Sequence, residues 1–248
     1  MSAHGKVLLA HGNGGRLTGE LIRDVFLPAL ANPFLADLSD AAVLDGLGDG
    51  RPALTTDAFI IDPPVFPGGD IGYLSVCGTV NDLAVAGAQP RWLTWALIVE
   101  EGTDRELLER VTAGTARGAE EAGVQIVAGD TKVVPRGKGD AVFVVTSGLG
   151  VVPAGRELGD TLVRPGDAVL ASGPLGDHGA AVLARRHGLD EGELVSDCGP
   201  VNGLVEALLE GGVDVHAMHD PTRGGVATVC HEVATRAGAR IVLEQSAL

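Results

Sequence analysis

The sequence predicts an α/β (α+β) fold in two domains, and three observations predict it. Short apolar runs rich in Val, Leu and Ala alternate with glycine-rich loops and helical stretches along the whole chain. The run Gly148 to Gly155 reads as an exit from a first domain, and the alternation restarts at Val163. The 248 residues are 45% hydrophobic but only 3% aromatic, enough for one to two domains with an aliphatic core. These observations divide the chain into an amino-terminal domain, 1–155, and a carboxy-terminal α/β domain, 156–248.

Taken in order, the apolar run Val7–Ala10 leads into His11-Gly12-Asn13-Gly14-Gly15. Leu17, Leu21, Ile22, Val25, Phe26 and Leu30 then recur as one amphipathic helix. A glycine loop before a helix can hold phosphate oxygens on its backbone N–H groups. No Gly-Lys-Ser/Thr follows, and the third glycine spacing of a dinucleotide site is missing, so a plain flexible loop is the competing reading. Asp40 stands before a short strand, Ala41–Leu44, and Asp57 ends a second, Ala53–Asp57. Pro63, Pro64 and Pro67 make a rigid connection to the stretch around which the domain is organised, Gly69 to Pro90.

That stretch reads as a buried helix. Asp70 is its N-cap, and Gly87 with Pro90 its stop. Ile71, Leu74, Cys77, Val80 and Ala84 form a packed face, while Ser75, Thr79 and Asp82 form a polar line. Gly78 leaves open space one turn before Asp82. Asp82 sits toward the helix C-terminus, where the macrodipole disfavours an anion, so it needs a cation or hydrogen-bond donors.

A strand follows over Arg91–Val99, its two tryptophans read as core or dimer interface. A helix spans Asp104–Ala122 and stops at Gly123. The strand Val124–Ala128 runs into a turn, Gly129-Asp130-Thr131-Lys132, that gathers acid, hydroxyl and lysine. Arg136–Gly139 reads as an exposed basic loop and Ala141–Thr146 as a buried strand. In the second half, strands are expected over Ala168–Ser172, Asp214–Met218 and Arg240–Leu243, and helices over Ala180–Arg186, Val201–Leu209 and Val226–Ala237. Glycine loops precede the first and last of these helices.

Composition excludes some functions. A net charge of −15 argues against a broad nucleic-acid-binding surface. Three widely spaced cysteines, Cys77, Cys198 and Cys230, with no CxxC, suggest neither a disulfide framework nor a zinc knuckle, and so a reducing, cytoplasmic setting. No signal peptide and no membrane span are expected.

The remaining chemistry is acidic. Asp40, Asp57, Asp82 and Asp130 fall at strand ends or on the polar line of the buried helix. Hard oxygen ligands of this kind suit Mg²⁺, which also binds phosphate oxygens. Thr131 and Lys132 stand beside Asp130, and glycine loops supply backbone donors. The combination fits Mg-ATP phosphoryl chemistry, in which positioning and charge neutralisation do most of the catalysis. His216 and His219 form no HExxH, and His231 lies on a helix beyond the third glycine loop, where a structural hydrogen bond is the competing reading.

These residues carry a resemblance. Thr55–Asp57, Phe66–Asp70, Cys77–Ala88, Glu100–Gly102, Gly129–Val134, Arg136–Gly139, Ser172–Gly179, Leu194–Cys198 and Asp220–Gly225 resemble the HypE family of hydrogenase maturation factors. The family belongs to an ATP-binding superfamily with aminoimidazole ribonucleotide synthetase, selenophosphate synthetase and thiamine-monophosphate kinase. The likeness spans His11 to Leu243. It implies a two-domain synthetase-like subunit whose amino-terminal sheet domains pair as a homodimer. It implies Mg-ATP held by Asp40, Asp57, Asp82, Asp130, Thr131, Lys132 and the loop glycines Gly12, Gly14 and Gly15, the four aspartates being the metal ligands.

The implied reaction dehydrates a carbamoyl group on a carboxy-terminal cysteine to a thiocyanate, the source of cyanide for the iron of a nickel–iron hydrogenase. The implied catalytic residues are Lys132 on the transferring phosphate, Asp82 on the metal and His231 in proton transfer. The implied partners are the carbamoyltransferase HypF and the HypC–HypD complex. The family continues past the position of Leu248 to a tail ending Pro-Arg-Ile-Cys, so the second domain is expected to be incomplete here and this form inactive in cyanation. Asn13 stands where the family tends to have Gly or Ser. Two other readings stay open: a small-molecule ATP-dependent synthetase or kinase of the same superfamily, and a non-catalytic dimerising module.

Overall fold

The computed structural model describes residues 6–12, 16–33, 35, 48–189, 194–222 and 224–244. The expected strand Ala41–Leu44, Asp40, Gly14, Gly15 and Arg223 lie outside them. At the amino end, Lys6 pairs with Asp104 and a 3-10 turn spans Leu9–Gly12. The expected amphipathic helix is present as α1 (Arg16–Leu21), a π turn (Ile22–Phe26) and α2 (Leu27–Leu30) in unbroken succession. Its apolar side, Leu21, Val25, Phe26 and Leu30, is buried, with Phe26 edge-on to Trp95 at 5.8 Å.

β1 (Gly50–Phe59) is followed by a small hairpin, β2 (Val65–Phe66) and β3 (Gly69–Asp70), and then by the organising helix, α3 (Ile71–Val85). The Asp70 cap forms as expected: its Oδ1 accepts from the N–H groups of Gly72 at 2.9 Å and Tyr73 at 3.0 Å. Gly87 closes the helix with φ +81°. α3 is buried nearly all round. Ile71, Val76 and Val80 are fully enclosed, each contributing about 1.5–3 kcal/mol. Ser75 and Thr79 are enclosed too, and each is satisfied. The Ser75 hydroxyl donates to Gly72 O at 2.7 Å, and the Thr79 and Thr146 hydroxyls bond to each other.

β4 (Gln89–Glu100), α4 (Arg105–Ala122), β5 (Gln125–Val134) and β6 (Val142–Pro153) complete the domain. The sheet order is β1-β6-β4-β5. β4 and β5 are parallel and joined through α4, and the other pairs are antiparallel. α3 and α4 pack together against one face, over Leu93, Trp95, Leu97, Val99, Val142 and Val144. Their backbones meet at Gly72, where a Cβ would lie 1.9 Å from Val111 O. Both tryptophans are buried within the subunit.

Three boundaries differ from expectation. β1 runs on to Phe59 because β6 pairs with it that far, so Asp57 lies inside the strand and not at its end. Gly129–Lys132 is not a turn: β4 pairs with β5 as far as Glu100↔Val134, and this ladder keeps the stretch extended. Gly148–Pro153 is not an exit but the second half of β6, paired along β1 to Gly50.

The second half holds a 3-10 turn (Asp160–Leu162), α5 (Asp177–Arg186), α6 (Asn202–Glu210) and α7 (Gly225–Ala237), the three helices the pattern predicts. The three expected strands are absent. Ala168–Ser172, Asp214–Met218 and Arg240–Leu243 enter no ladder among the described residues, and Val169, Leu170 and Val242 are exposed. An apolar run becomes a strand only when a neighbour takes up its N–H and C=O groups. α6 docks on the first half instead. Arg156 clasps Glu206 through two bonds of 2.9 and 3.0 Å and also donates to Gly87 O. Asn202 Nδ2 donates to Ala122 O at 2.9 Å.

Candidate functional site

The expected acids divide between the two faces of the sheet. Side chains alternate along a strand, so partners in the ladder assign the faces. Asp57 pairs with Thr146, whose side chain is buried beneath α3, so Asp57 lies on the helix-covered face. Asp82, in the last turn of α3, lies there too: its Oδ2 accepts from the Thr55 hydroxyl of β1 at 2.9 Å. This donor answers part of the need created by an anion near a helix C-terminus. The space beside Gly78 is not open. A Cβ there would meet the Phe59 ring at 2.9 Å and Asp57 Oδ2 at 3.7 Å, so the missing side chain lets β1 approach the helix.

A third carboxylate joins these two. Asp220, in the loop before α7, has its pKa pushed up to about 6, first by burial, then by the negative charges of Asp82 and, further off, Asp57. Asp220 is a site residue that sequence pattern alone does not single out. Its only signal was an acid inside a glycine loop. The charges of Asp82 and Asp57 make Asp220 costly to ionise, and the three together form a place where a cation would be welcome. They are not gathered into a closed cage: among the described residues no three His, Cys, Asp or Glu side chains come close enough to hold a metal ion. Mg²⁺ takes few protein carboxylates and completes its shell with water and phosphate oxygens.

Asp130 and Lys132 point the other way. They alternate with Thr131, which is buried on the helix side, and pair with the half-buried Ala96 and Ile98. Lys132 Nζ lies 2.9 Å from Asp130 Oδ1, and this hydrogen bond holds the Asp130 carboxyl below the usual range. The Thr131 N–H also donates to Asp130 Oδ1, at 2.8 Å. The turn that ends at Gly12 packs against β5. One group therefore comprises Asp57, Asp82 and Asp220, and another the amino-terminal turn with Asp130 and Lys132, to which Thr131 contributes only its backbone N–H. Asp40, Gly14 and Gly15 lie outside the described residues.

His231 is exposed on α7, and among the described residues no contact of its ring ties it to the acids. His219, next to Asp220, is the histidine the structure brings nearer. Its Nε2 lies 2.6 Å from Oδ1 of the buried Asp160, and Arg236 Nη1 donates to Oδ2 at 2.8 Å. Burial alone would raise the Asp160 pKa, but the bonds from His219 and Arg236 outweigh it and hold the carboxyl low.

Residues 38–152 match the family model "AIR synthase related protein, N-terminal domain", and residues 164–247 the corresponding C-terminal domain. Over 247 residues the chain is 48% identical to carbamoyl dehydratase HypE of Rhodobacter capsulatus, covering 98% of this chain and 72% of that protein. A crystal structure of the hydrogenase maturation protein HypE in complex with ATP superposes with a TM-score of 0.89 at 48% identity, over 93% of this chain and 68% of the other. A HypE–HypF complex gives 0.74 at 47% identity, over 88% and 70%.

Proposed function

The chain belongs to the HypE family of hydrogenase maturation proteins, within the AIR synthase related enzymes, and from that premise we propose that it is an ATP-dependent carbamoyl dehydratase. The substrate is a thiocarboxamide on a cysteine and the product a thiocyanate, used for the cyanide ligands of a nickel–iron hydrogenase. An amide oxygen is a poor leaving group until it is phosphorylated. ATP supplies that phosphoryl group, and departure of phosphate leaves the nitrile.

The observation that carries this reading is the placement of Asp57 and Asp82 on the helix-covered face of the sheet, with Asp220 near enough for their charges to raise its pKa. We assign Asp57 and Asp82 to magnesium on the helix-covered face, with Asp40 as a further proposed ligand, and Asp130, on the opposite face, to a separate metal or phosphate contact. When bound, the ion neutralises charge on the phosphate oxygens. Thr55 orients Asp82. Lys132 exchanges Asp130 for the transferring phosphate, Gly12, Gly14 and Gly15 offer backbone donors to the nucleotide, and the Thr131 N–H steadies Asp130. His219 replaces His231 as the histidine beside the site. Cys77, Cys198 and Cys230 are buried or half-buried, so none is assigned as the carbamoyl carrier.

The division of the acids between two faces supports a homodimer. The face opposite α3 and α4 carries Leu54, 78% exposed, and Ile60, 70% exposed, beside the half-buried Ala96, Val145, Ile98 and Leu149. Pairing two such faces buries them and carries the Asp130–Lys132 group of one subunit toward the other. The two matched family stretches support reading 1–155 as the ATP-binding and dimerising domain and 156–248 as part of a second. HypF and the HypC–HypD complex are the proposed partners, the former supported by the relative solved with HypF. The setting is cytoplasmic. No helix among the described residues is long and apolar enough to cross a membrane.

Titration calorimetry of Mg-ATP against wild type and Asp82→Asn tests the site. Asparagine keeps the bond from Thr55 but removes the charge, so magnesium-dependent affinity is expected to fall about tenfold or more. Equal affinity would return Asp82 to a structural role.

A further inference from the structure

Away from the acids, the described residues bring together two thiols that the proposed chemistry does not use. Tyr73, Cys77 and Asn81 are spaced four apart and stack along one face of α3. The strap from Ser196 to Val201 lies across that face. Its start is held by the Ser196 N–H, which donates to Pro67 O at 2.9 Å. Its far end is held by Asn81, whose Nδ2 donates to Gly199 O at 3.0 Å and whose Oδ1 accepts from the Val201 N–H at 2.8 Å. Cys198 lies between these two anchors. This sets it across the face of α3 that carries Cys77, near enough for each thiol to act on the other. Cys77 is 1% exposed and Cys198 half-buried, whereas Cys230 lies apart on α7.

We propose that Cys77 and Cys198 form a redox-active dithiol that closes to a disulfide, fastening the strap to the helix that carries Asp82. The oxidant class is a low-molecular-weight disulfide. The half-buried Cys198 thiolate attacks it, forming a mixed disulfide and releasing one small thiol. The Cys77 sulfur then loses its proton, attacks the Cys198 sulfur and expels the second small thiol. Two protein thiols are oxidised and one external disulfide is reduced. Interaction with Cys198, and then burial, push the Cys77 thiol up from its ordinary range, so the second, closing step is slow. A link from residue 77 to residue 198 also closes a long loop, the kind that most restricts the unfolded chain.

The test incubates the full chain in excess oxidised glutathione, quenches in acid, alkylates under denaturing conditions and maps peptides. The expected result is a peptide pair joined through Cys77 and Cys198, with a mass loss of two hydrogens, and Cys230 outside the intramolecular link. The wild-type melting temperature is expected to rise by several degrees on oxidation and to fall back on reduction. Cys198→Ser, and independently Cys77→Ser, should show no such rise. Full alkylation of both Cys77 and Cys198 after oxidation, or a link made through Cys230, overturns the proposal. The mapping reads the wild-type protein and so stands even if a variant folds poorly.

Discussion

Lys132 is held by Asp130 on the open face of the sheet, and that pairing decides what its loss should do. A cation that acts on the transferring phosphate matters most where charge redistributes in the transition state. Lys132→Ala is therefore expected to lower kcat by about 100-fold or more while changing nucleotide affinity less than about tenfold. Single-turnover kinetics beside equilibrium binding separates the two, and a wild-type rate would remove Lys132 from the chemistry. Gly72 makes a different kind of prediction. Any Cβ there meets Val111 O at 1.9 Å, so Gly72→Ala must push α3 and α4 apart. A loss of stability of about 1–3 kcal/mol or more is expected in denaturant titration. Gly72 reads in the sequence as an ordinary small residue, because the carbonyl it accommodates lies on another helix.

At the scale of elements, caps were legible and partners were not. Asp70 before Ile71, and Gly123 after Ala122, do locally what their residue types predict. Asp104 makes no side-chain cap on α4; its carboxylate pairs with Lys6. The 3-10 turn Asp160–Leu162, the loop at His219 and α7 are joined through the Asp160 carboxylate. Its folded pKa is lowered, so its stabilisation is complete above the unfolded value of about 3.9 and disappears as pH falls through the lower folded value. The stability difference between wild type and Asp160→Asn should therefore be present at pH 5 and shrink as the pH is lowered below about 4, read by urea unfolding across that range. A difference that grew on acidification would contradict the pairing.

For the whole molecule, the apolar face of the sheet carries the prediction. Leu54→Glu places a charge on the open face proposed for the subunit contact without touching the helix-covered core. Sedimentation velocity is expected to change from dimer to monomer, with the melting behaviour of the isolated subunit little altered and ATP turnover lost. A variant that stays dimeric, or a wild type that is monomeric, would show that each subunit holds its site alone. The expectation of paired sheets came from the family resemblance. Composition alone could not supply it, since an exposed Leu in an alternating strand is common on any sheet surface.

The sequence by itself determined the helices, the α3 cap and stop, the aliphatic core, the acidic residues and the family, because each rests on local chemistry or on runs of residues that can be read in order. Tertiary structure alone decided where β5 and β6 end, since a strand extends only as far as its neighbour pairs with it. For the same reason it left Ala168–Ser172, Asp214–Met218 and Arg240–Leu243 out of any ladder among the described residues. It also decided the arrangement of the acids. Asp57 and Asp82 came to one face, Asp130 and Lys132 to the other, and Asp220 entered from the second half, because a carboxylate's electrostatic neighbours are set by strand register and helix packing and not by distance along the chain.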